Sequence, residues 1–170
     1  MTALGSDELT NISLEENQVV VISLWASTCK FGMKHMDELQ KIIDENKSKW
    51  SSKVRFLAFS LDADKSKQQA AITERGYTGF EHYNIKNANC RLHLYFNAKQ
   101  TPFCVLVDKK GKVASLSHPS FRRLDEDIQT LIKGRPIQGR GCVSLKASKD
   151  SEWKEGGAEI DNMEVQKTVS

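Results

Sequence analysis

The feature that constrains the fold most is a near-continuous apolar run, residues 19–24 (VVVISL), rich in β-branched side chains. Such a run is typical of a strand covered on both faces, so it predicts a strand in the middle of a sheet. From about residue 30 to residue 49, apolar side chains recur every three or four positions, which predicts an amphipathic helix. These side chains are Met33, Met36, Leu39, Ile42 and Ile43. The first predicted unit is therefore a strand followed by a helix.

A second strand and a second helix follow in the same order. Residues 54–59 form an apolar stretch bounded by polar residues, and residues 65–75 form a mostly polar helical segment that ends at Gly76. This alternation of strands and helices predicts parallel pairing with right-handed crossovers. We also predict a loop or short strand over residues 77–85 and a short helix over residues 88–96.

The last predicted elements have a different order. Residues 103–107 and 112–116 form two short strands around a turn at residues 108–111, which predicts an antiparallel hairpin. A helix over residues 122–133 follows and is stopped by Gly134 and Pro136. The predicted fold class is therefore α/β, with a central mixed sheet that combines a parallel βαβ half with a C-terminal antiparallel hairpin, flanked by helices.

The domain organisation follows from where this pattern stops. The chain has 170 residues and 39% hydrophobic content, which is enough for one core. We predict one domain over residues 1–138. Residues 139–170 are rich in charged side chains and hold only isolated apolar positions, so we predict a polar tail that is flexible or bound to a partner.

Composition argues against several classes of function. The net charge of +3 comes from interspersed basic and acidic residues, which argues against binding of nucleic acid. No run approaches the ~20 apolar residues of a transmembrane helix or resembles a signal peptide, so we expect a cytoplasmic protein without a membrane span. Cys29, Cys90, Cys104 and Cys142 lack the spacing of a metal site or a disulfide framework. We therefore expect reduced thiols and no metal or bound cofactor.

One cysteine lies at a position that favours reactivity. In the segment 25–32 (WASTCKFG), Cys29 lies between the predicted central strand and the first long helix. A thiol at a helix N-terminus faces unpaired backbone N–H groups and the positive end of the helix dipole, and both favour the nucleophilic thiolate. Pro102 directly precedes another predicted strand, where a proline is tolerated and its peptide bond with Thr101 can be cis.

These features resemble the thioredoxin-like superfamily, most closely its TlpA and nucleoredoxin/tryparedoxin branch. The matching residues are Trp25, Ala26, Ser27, Cys29, Ser60-Leu61-Asp62, and the segment from Pro102 through Asp108 to Gly111. The resemblance implies a thioredoxin-like fold, with Cys29 as the attacking thiol and Pro102 as the cis-proline that faces it. It also implies that substrates contact a set of residues around these two: Trp25, Thr28, Lys30, Phe31, Thr101 and Pro102.

Two residues depart from the family pattern. Thr28 replaces the usual aromatic residue, and Gly32 stands where a second cysteine would resolve a mixed disulfide. The first hypothesis is therefore a monothiol thiol-disulfide oxidoreductase that uses Cys29 and an external thiol such as glutathione. The alternative is a non-catalytic scaffold or binding subunit of a larger assembly, in which Cys29 is idle. The third hypothesis is a thiol peroxidase similar to glutathione peroxidases.

Either of the first two functions requires protein partners. We expect them to bind through the surface around Cys29 and Pro102 or through the tail. If the tail is flexible, it can carry Cys142 to Cys29 or to another chain. We interpret Cys90 and Cys104 as small core residues.

Two acidic residues, Asp62 and Asp64, follow the second strand. We interpret both as capping groups of the loop that begins there, in preference to an ion site.

Overall fold

Seven strands form one mixed sheet in the computed structural model, which describes residues 9–10, 17–85, 102–117, 123–137 and 165–167. The strands are β1 (Leu9–Thr10), β2 (Val19–Trp25), β3 (Val54–Ser60), β4 (Glu81–Asn84), β5 (Phe103–Val107), β6 (Val113–Ser117) and β7 (Val165–Lys167). The α-helices in this part of the chain are α1 (Lys30–Trp50), α2 (Lys65–Arg75) and α3 (Leu124–Ile132), and a short 3-10 helix, Ser51–Lys53, follows α1.

The pairing of the strands confirms the predicted fold class. The order across the sheet is β1-β7-β4-β3-β2-β5-β6. Strands β2, β3 and β4 are parallel to one another, whereas β5 is antiparallel to β2 and β6 is antiparallel to β5. The parallel βαβ half and the C-terminal hairpin thus share one sheet, with β2 between them.

Strand β2 is the most deeply buried element of the described chain. None of its seven residues is more than 1% exposed. Its alternate side chains belong to two apolar clusters on opposite faces of the sheet, with Val21 in one and Ile22 in the other. Burying such a side chain contributes about 1.5–3 kcal/mol. The complete burial of β2, and its pairing with β3 on one side and β5 on the other, confirm the prediction of a central strand.

The long helix α1 packs its apolar side chains against one face of this sheet. Met36 and Leu39 are completely buried there, as their spacing predicts. At the far end of α1, the indole nitrogen of Trp50 donates a hydrogen bond of 3.0 Å to Gln129 Oε1, which joins α1 to α3. The helix is therefore held by apolar packing against the sheet and by a polar contact with α3.

The second helix has the bounds that the sequence predicts. Asp64 is its N-cap, and the carboxylate accepts a hydrogen bond of 2.9 Å from the backbone nitrogen of Ser66. The hydrogen bonds from Ser66 lower the pKa of this exposed carboxyl. Gly76 ends α2 with a φ of 68°, a left-handed conformation that glycine adopts readily. The interpretation of Asp64 as a capping residue is confirmed.

The edge of the sheet beside β4 differs from the prediction. Residues 139–170 are predicted to be a tail, yet Val165–Lys167 forms a strand between β4 and β1. Gln166 pairs with Asn84 of β4 and with Leu9 of β1. Three residues are too few for their alternation to stand out in a polar sequence. The predicted helix over 88–96, with Cys90, and most of the predicted tail, with Cys142, lie outside the described residues.

No helix in the described ranges is long and apolar enough to cross a membrane.

His82, on β4, is a buried neutral histidine. Its Nε2 lies 2.7 Å from the carbonyl oxygen of Tyr77, and because a carbonyl can only accept, Nε2 carries the hydrogen. Its buried Nδ1 has no hydrogen-bond partner in the described part of the chain. Burial lowers the pKa of His82 below the ordinary value of 6.5, and the bond to Tyr77 opposes this effect only partly.

We expect the free energy of unfolding to fall as the pH falls through about 6.5, because the unfolded chain then takes up a proton on His82 that the folded chain excludes. One proton gives a slope of at most about 1.4 kcal/mol per pH unit. Urea unfolding between pH 7.5 and 5.5 measures this slope. The slope should flatten in His82→Gln, and an equal slope in the native protein and the variant would contradict the assignment.

Candidate active site

The loop between β2 and α1 places Cys29 at the start of the helix. Cys29 is the N-cap of α1, in an extended conformation, and its backbone nitrogen donates to the carbonyl oxygen of Ala26 at 3.0 Å. The sulfur accepts a hydrogen bond from the backbone nitrogen of Gly32 at 3.4 Å. Cys29 is a half-buried thiol. One of the otherwise unpaired N–H groups of the helix therefore points at the sulfur, as its place in the sequence predicts.

The surface around Cys29 combines positive charge with one exposed aromatic ring. The first turn of α1 contains no acidic residue, so no side chain there neutralises the positive end of the helix dipole. Thr28 and Lys30 are exposed on either side of the cysteine. The side chain of Phe31 is 71% exposed, an unusual state for a large apolar group. These three predicted contact residues are thus accessible to a partner.

Pro102 lies at the end of the sheet from which the Cys29 loop departs. The antiparallel register pairs Leu24 of β2 with Phe103 of β5, and Pro102 directly precedes Phe103. Pro102 is buried. Thr101 lies outside the described residues, and the cis form of the bond between these two residues stays a prediction.

Trp25 differs from its predicted role. The sequence places it among the residues that contact substrate, whereas its side chain is 0% exposed and cannot reach a bound partner. Its ring packs edge to face against Tyr77 with 5.6 Å between the ring centroids. As the last residue of β2, it points inward under the start of α1 because the alternation of the strand puts it on the helix-covered face.

Tyr77 connects this aromatic pair to the first turns of α1. Its hydroxyl lies 3.0 Å from the carbonyl oxygen of Met33 and 2.6 Å from Asp37 Oδ1. Asp37 also forms an ion pair with Arg75 at 2.9 Å. Burial raises the pKa of Tyr77, and the hydrogen bond to Asp37 raises it further, so the hydroxyl stays a donor. Contacts with Tyr77 therefore hold the first two turns of α1, which follow Cys29.

Asp62 ties the Cys29 loop to the end of β3. Its carboxylate accepts hydrogen bonds from the backbone nitrogen of Ser27 at 3.0 and 3.1 Å and from the Ser27 hydroxyl at 2.7 Å. The hydroxyl of Ser60 donates to the same carboxylate at 2.6 Å. The sequence identifies Asp62 as a loop cap and a family match, but its link to Ser27 joins residues 35 positions apart. No local pattern reveals such a contact.

His35 and Cys104 are both buried in the core. His35 is buried, with its Nε2 3.2 Å from the hydroxyl of Ser23. Cys104 is 2% exposed on β5, in agreement with its interpretation as a core residue. Within the described ranges, no group of three potential metal ligands comes together.

Gly32 leaves room beside the sulfur where the family has a second cysteine. A Cβ atom built on Gly32 would lie 3.6 Å from Cys29 Sγ and 3.5 Å from both Cys29 Cβ and Ala26 N, which are ordinary van der Waals distances. Glycine at position 32 is therefore not imposed by packing.

Comparison with known proteins supports the family and the fold of the chain. Residues 17–113 match the model of a family described as thioredoxin-like. No curated protein matches the chain. Three solved structures illustrate the structural likeness. A thiol-disulfide oxidoreductase from Bacteroides fragilis has a TM-score of 0.53 and 19% identity, covering 60% of this chain and 73% of the other.

The second structure is a secreted disulfide oxidoreductase from Mycobacterium tuberculosis, homologous to DsbE of E. coli. It has a TM-score of 0.54 and 15% identity, covering 70% of this chain and 83% of the other. The third is a hypothetical protein from Sinorhizobium meliloti, with a TM-score of 0.61, 15% identity, and coverage of 72% and 74%. At these identities, the likeness shows the fold.

We expect Gly32→Cys to fold like the native protein and to form a disulfide with Cys29 under mild oxidation, because a Cβ at residue 32 would lie 3.5 Å from Cys29 Cβ, within the range of a disulfide. Peptide mapping by mass spectrometry would detect the cross-link. Gly32→Ser is the matched control, since it fills the same space without a thiol. Failure of the cysteine variant to cross-link, while both variants fold, would contradict this description of the site.

Proposed function

Because the chain belongs to the thioredoxin-like family, we propose that it is a monothiol thiol-disulfide oxidoreductase in which Cys29 is the nucleophile and glutathione is the external thiol. The observation that carries the proposal is the contact between Cys29 Sγ and the backbone nitrogen of Gly32. This contact favours the thiolate at residue 29. Residue 32 is also the position where the resemblance expects the resolving cysteine and the sequence has glycine.

The reaction has two exchanges. In the first, the Cys29 thiolate attacks the glutathione sulfur of a mixed disulfide between glutathione and a protein. The protein leaves as a thiolate, and Cys29 becomes disulfide-bonded to glutathione. In the second, a free glutathione thiolate attacks this adduct, which releases glutathione disulfide and restores the Cys29 thiolate. The protein sulfur is reduced and one free glutathione is oxidised, and the glutathione disulfide released joins that molecule to the one that the substrate carried.

The exposed residues around Cys29 suit an anionic tripeptide. Lys30 and the unneutralised N-terminal end of α1 attract carboxylates. The sulfur itself is half-buried, with Thr28 and Lys30 exposed on either side of it. A reducing cytoplasm would supply glutathione, so the cytoplasmic location is part of the proposal; the Mycobacterium neighbour is described as secreted.

We expect the native protein to reduce glutathionylated serum albumin in the presence of glutathione and glutathione reductase, measured by NADPH consumption. Cys29→Ser removes the nucleophile and should lower the rate at least a hundredfold. Cys142→Ser is the matched control that removes a different cysteine, and it should retain the native rate. An inactive native protein would refute the proposal, and loss of activity in Cys142→Ser would assign the resolving step to Cys142 instead of glutathione.

The scaffold hypothesis has one observation in its favour, which is the exposure of Phe31. An exposed aromatic side chain is a common docking group, with or without chemistry beside it. Under the proposed function, the same ring contacts the protein part of the substrate. A native protein that binds partners but reduces no disulfide would favour the scaffold, and one that instead consumes hydrogen peroxide would favour the peroxidase hypothesis.

We expect Phe31→Ala to lower the rate with glutathionylated albumin about fivefold, the equivalent of the roughly 1 kcal/mol that an aromatic contact contributes. The rate with the mixed disulfide of glutathione and free cysteine should stay unchanged, since this substrate offers no protein surface. Lys41→Ala, an exposed change further along α1, is the control. Equal losses with both substrates would show that Phe31 does not contact the protein part of the substrate.

A further inference from the structure

Asp62 holds the loop that carries Cys29, yet the proposed chemistry does not use it. The residue is 6% exposed, at the end of β3. Its Oδ1 accepts from the Ser27 hydroxyl, its Oδ2 accepts from the Ser60 hydroxyl, and the backbone nitrogen of Ser27 lies within 3.1 Å of both oxygens. All three groups donate to the carboxyl group of Asp62, so both of its oxygens act as acceptors.

These contacts determine the path of the backbone from β2 to α1. At the start of the loop, the carbonyl oxygen of Trp25 accepts a hydrogen bond of 2.9 Å from the backbone nitrogen of Leu61. In its middle, Asp62 holds Ser27 by both backbone and side chain. At its end, Cys29 N–H is bonded to Ala26. The loop is therefore fixed at each end and at the middle, and Asp62 supplies the middle point.

We propose that Asp62 is a positioning residue for Cys29, holding Ser27 so that the sulfur stays at the N-cap of α1, where the Gly32 N–H stabilises the thiolate. This inference rests on the proposed function of Cys29 as a nucleophile. Asp62 acts through Ser27, and it requires no contact with the substrate.

The carboxylate of Asp62 has two opposing effects on the Cys29 thiolate. The direction in which the pH midpoint of Cys29 alkylation moves after substitution of Asp62 separates the two effects. Through position, Asp62 keeps the sulfur near the helix N–H and favours the thiolate. Through charge, a carboxylate disfavours a second negative group nearby. Removing Asp62 therefore makes the thiolate harder to form if positioning dominates, and easier to form if charge dominates.

The test measures the rate at which iodoacetamide alkylates Cys29 as a function of pH, followed by mass spectrometry of the peptide that contains it. We expect the native midpoint to lie below the ~8.5 of free cysteine and the midpoint of Asp62→Ala to rise toward that value. A rise of about one pH unit lowers the alkylation rate near pH 7 about tenfold. Asp62→Asn retains one acceptor oxygen and should give an intermediate midpoint.

Asp64→Ala is the matched control, since it removes a carboxylate two residues away that caps α2 and does not contact the Cys29 loop. Its midpoint should equal the native one. An unchanged or lower midpoint in Asp62→Ala, or the same rise in Asp64→Ala, would overturn the proposal. If circular dichroism shows that Asp62→Ala does not fold, Ser27→Ala takes its place, because it keeps the carboxylate and removes one bond to it. The midpoint of Ser27→Ala should rise above the native midpoint, by less than the rise of about one pH unit expected for Asp62→Ala. No rise in Ser27→Ala would overturn the proposal.

The outcomes separate this inference from the proposed function. A low native midpoint that rises in Asp62→Ala, without reduction of glutathionylated protein, supports the positioning role and refutes the oxidoreductase. A native midpoint near 8.5 overturns both, because no stabilised thiolate then exists for Asp62 to maintain.

Discussion

The burial of β2 on both faces is the constraint on which the rest of the structure depends. A strand covered on both sides cannot slip by one residue without exchanging the side chains of its two faces, so its register with β3 and β5 is strongly specified. Fixing β2 fixes its last residue, Trp25, and with it the start of the loop to α1. Because the loop is short, the end of β2 determines where the Cys29 sulfur lies. The position of a side chain on this loop is therefore nearly as well defined as the position of the strand that precedes it.

The sequence predicts the elements that dominate this core with bounds accurate to within about two residues, because burial imposes periodicity. The apolar run of β2, the spacing in α1 and the glycine after α2 each have a local physical cause. Trp25 shows the limit of predicting the role of a side chain from a sequence motif. A family motif identifies the residue, but the alternation of β2 turns its ring inward, so it supports α1 and does not contact a substrate. The link from Asp62 to Ser27 and the strand β7 depend on residues far apart in the chain, which no local pattern predicts.

The site separates two properties that a dithiol enzyme combines. The features that make a cysteine nucleophilic are present: an N-cap position, a hydrogen bond from Gly32 to the sulfur, and a first turn without acidic residues. The feature that completes an exchange within one chain is absent at residue 32, although the packing leaves room for it. Under the proposed function, Cys29 therefore supplies the attacking half of the chemistry and a thiol from solution supplies the other half.

The strand β7 has a consequence for how the sheet meets its surroundings. Without it, the four residues of β4 would present an open row of backbone donors and acceptors, and such rows recruit strands from neighbouring molecules. With β7 and β1 added, the outermost strand on that side of the described sheet is Leu9–Thr10. Tyr83 and Asn84 of β4 are therefore paired within the protein, and their backbone groups are not left open to a strand from a neighbouring molecule.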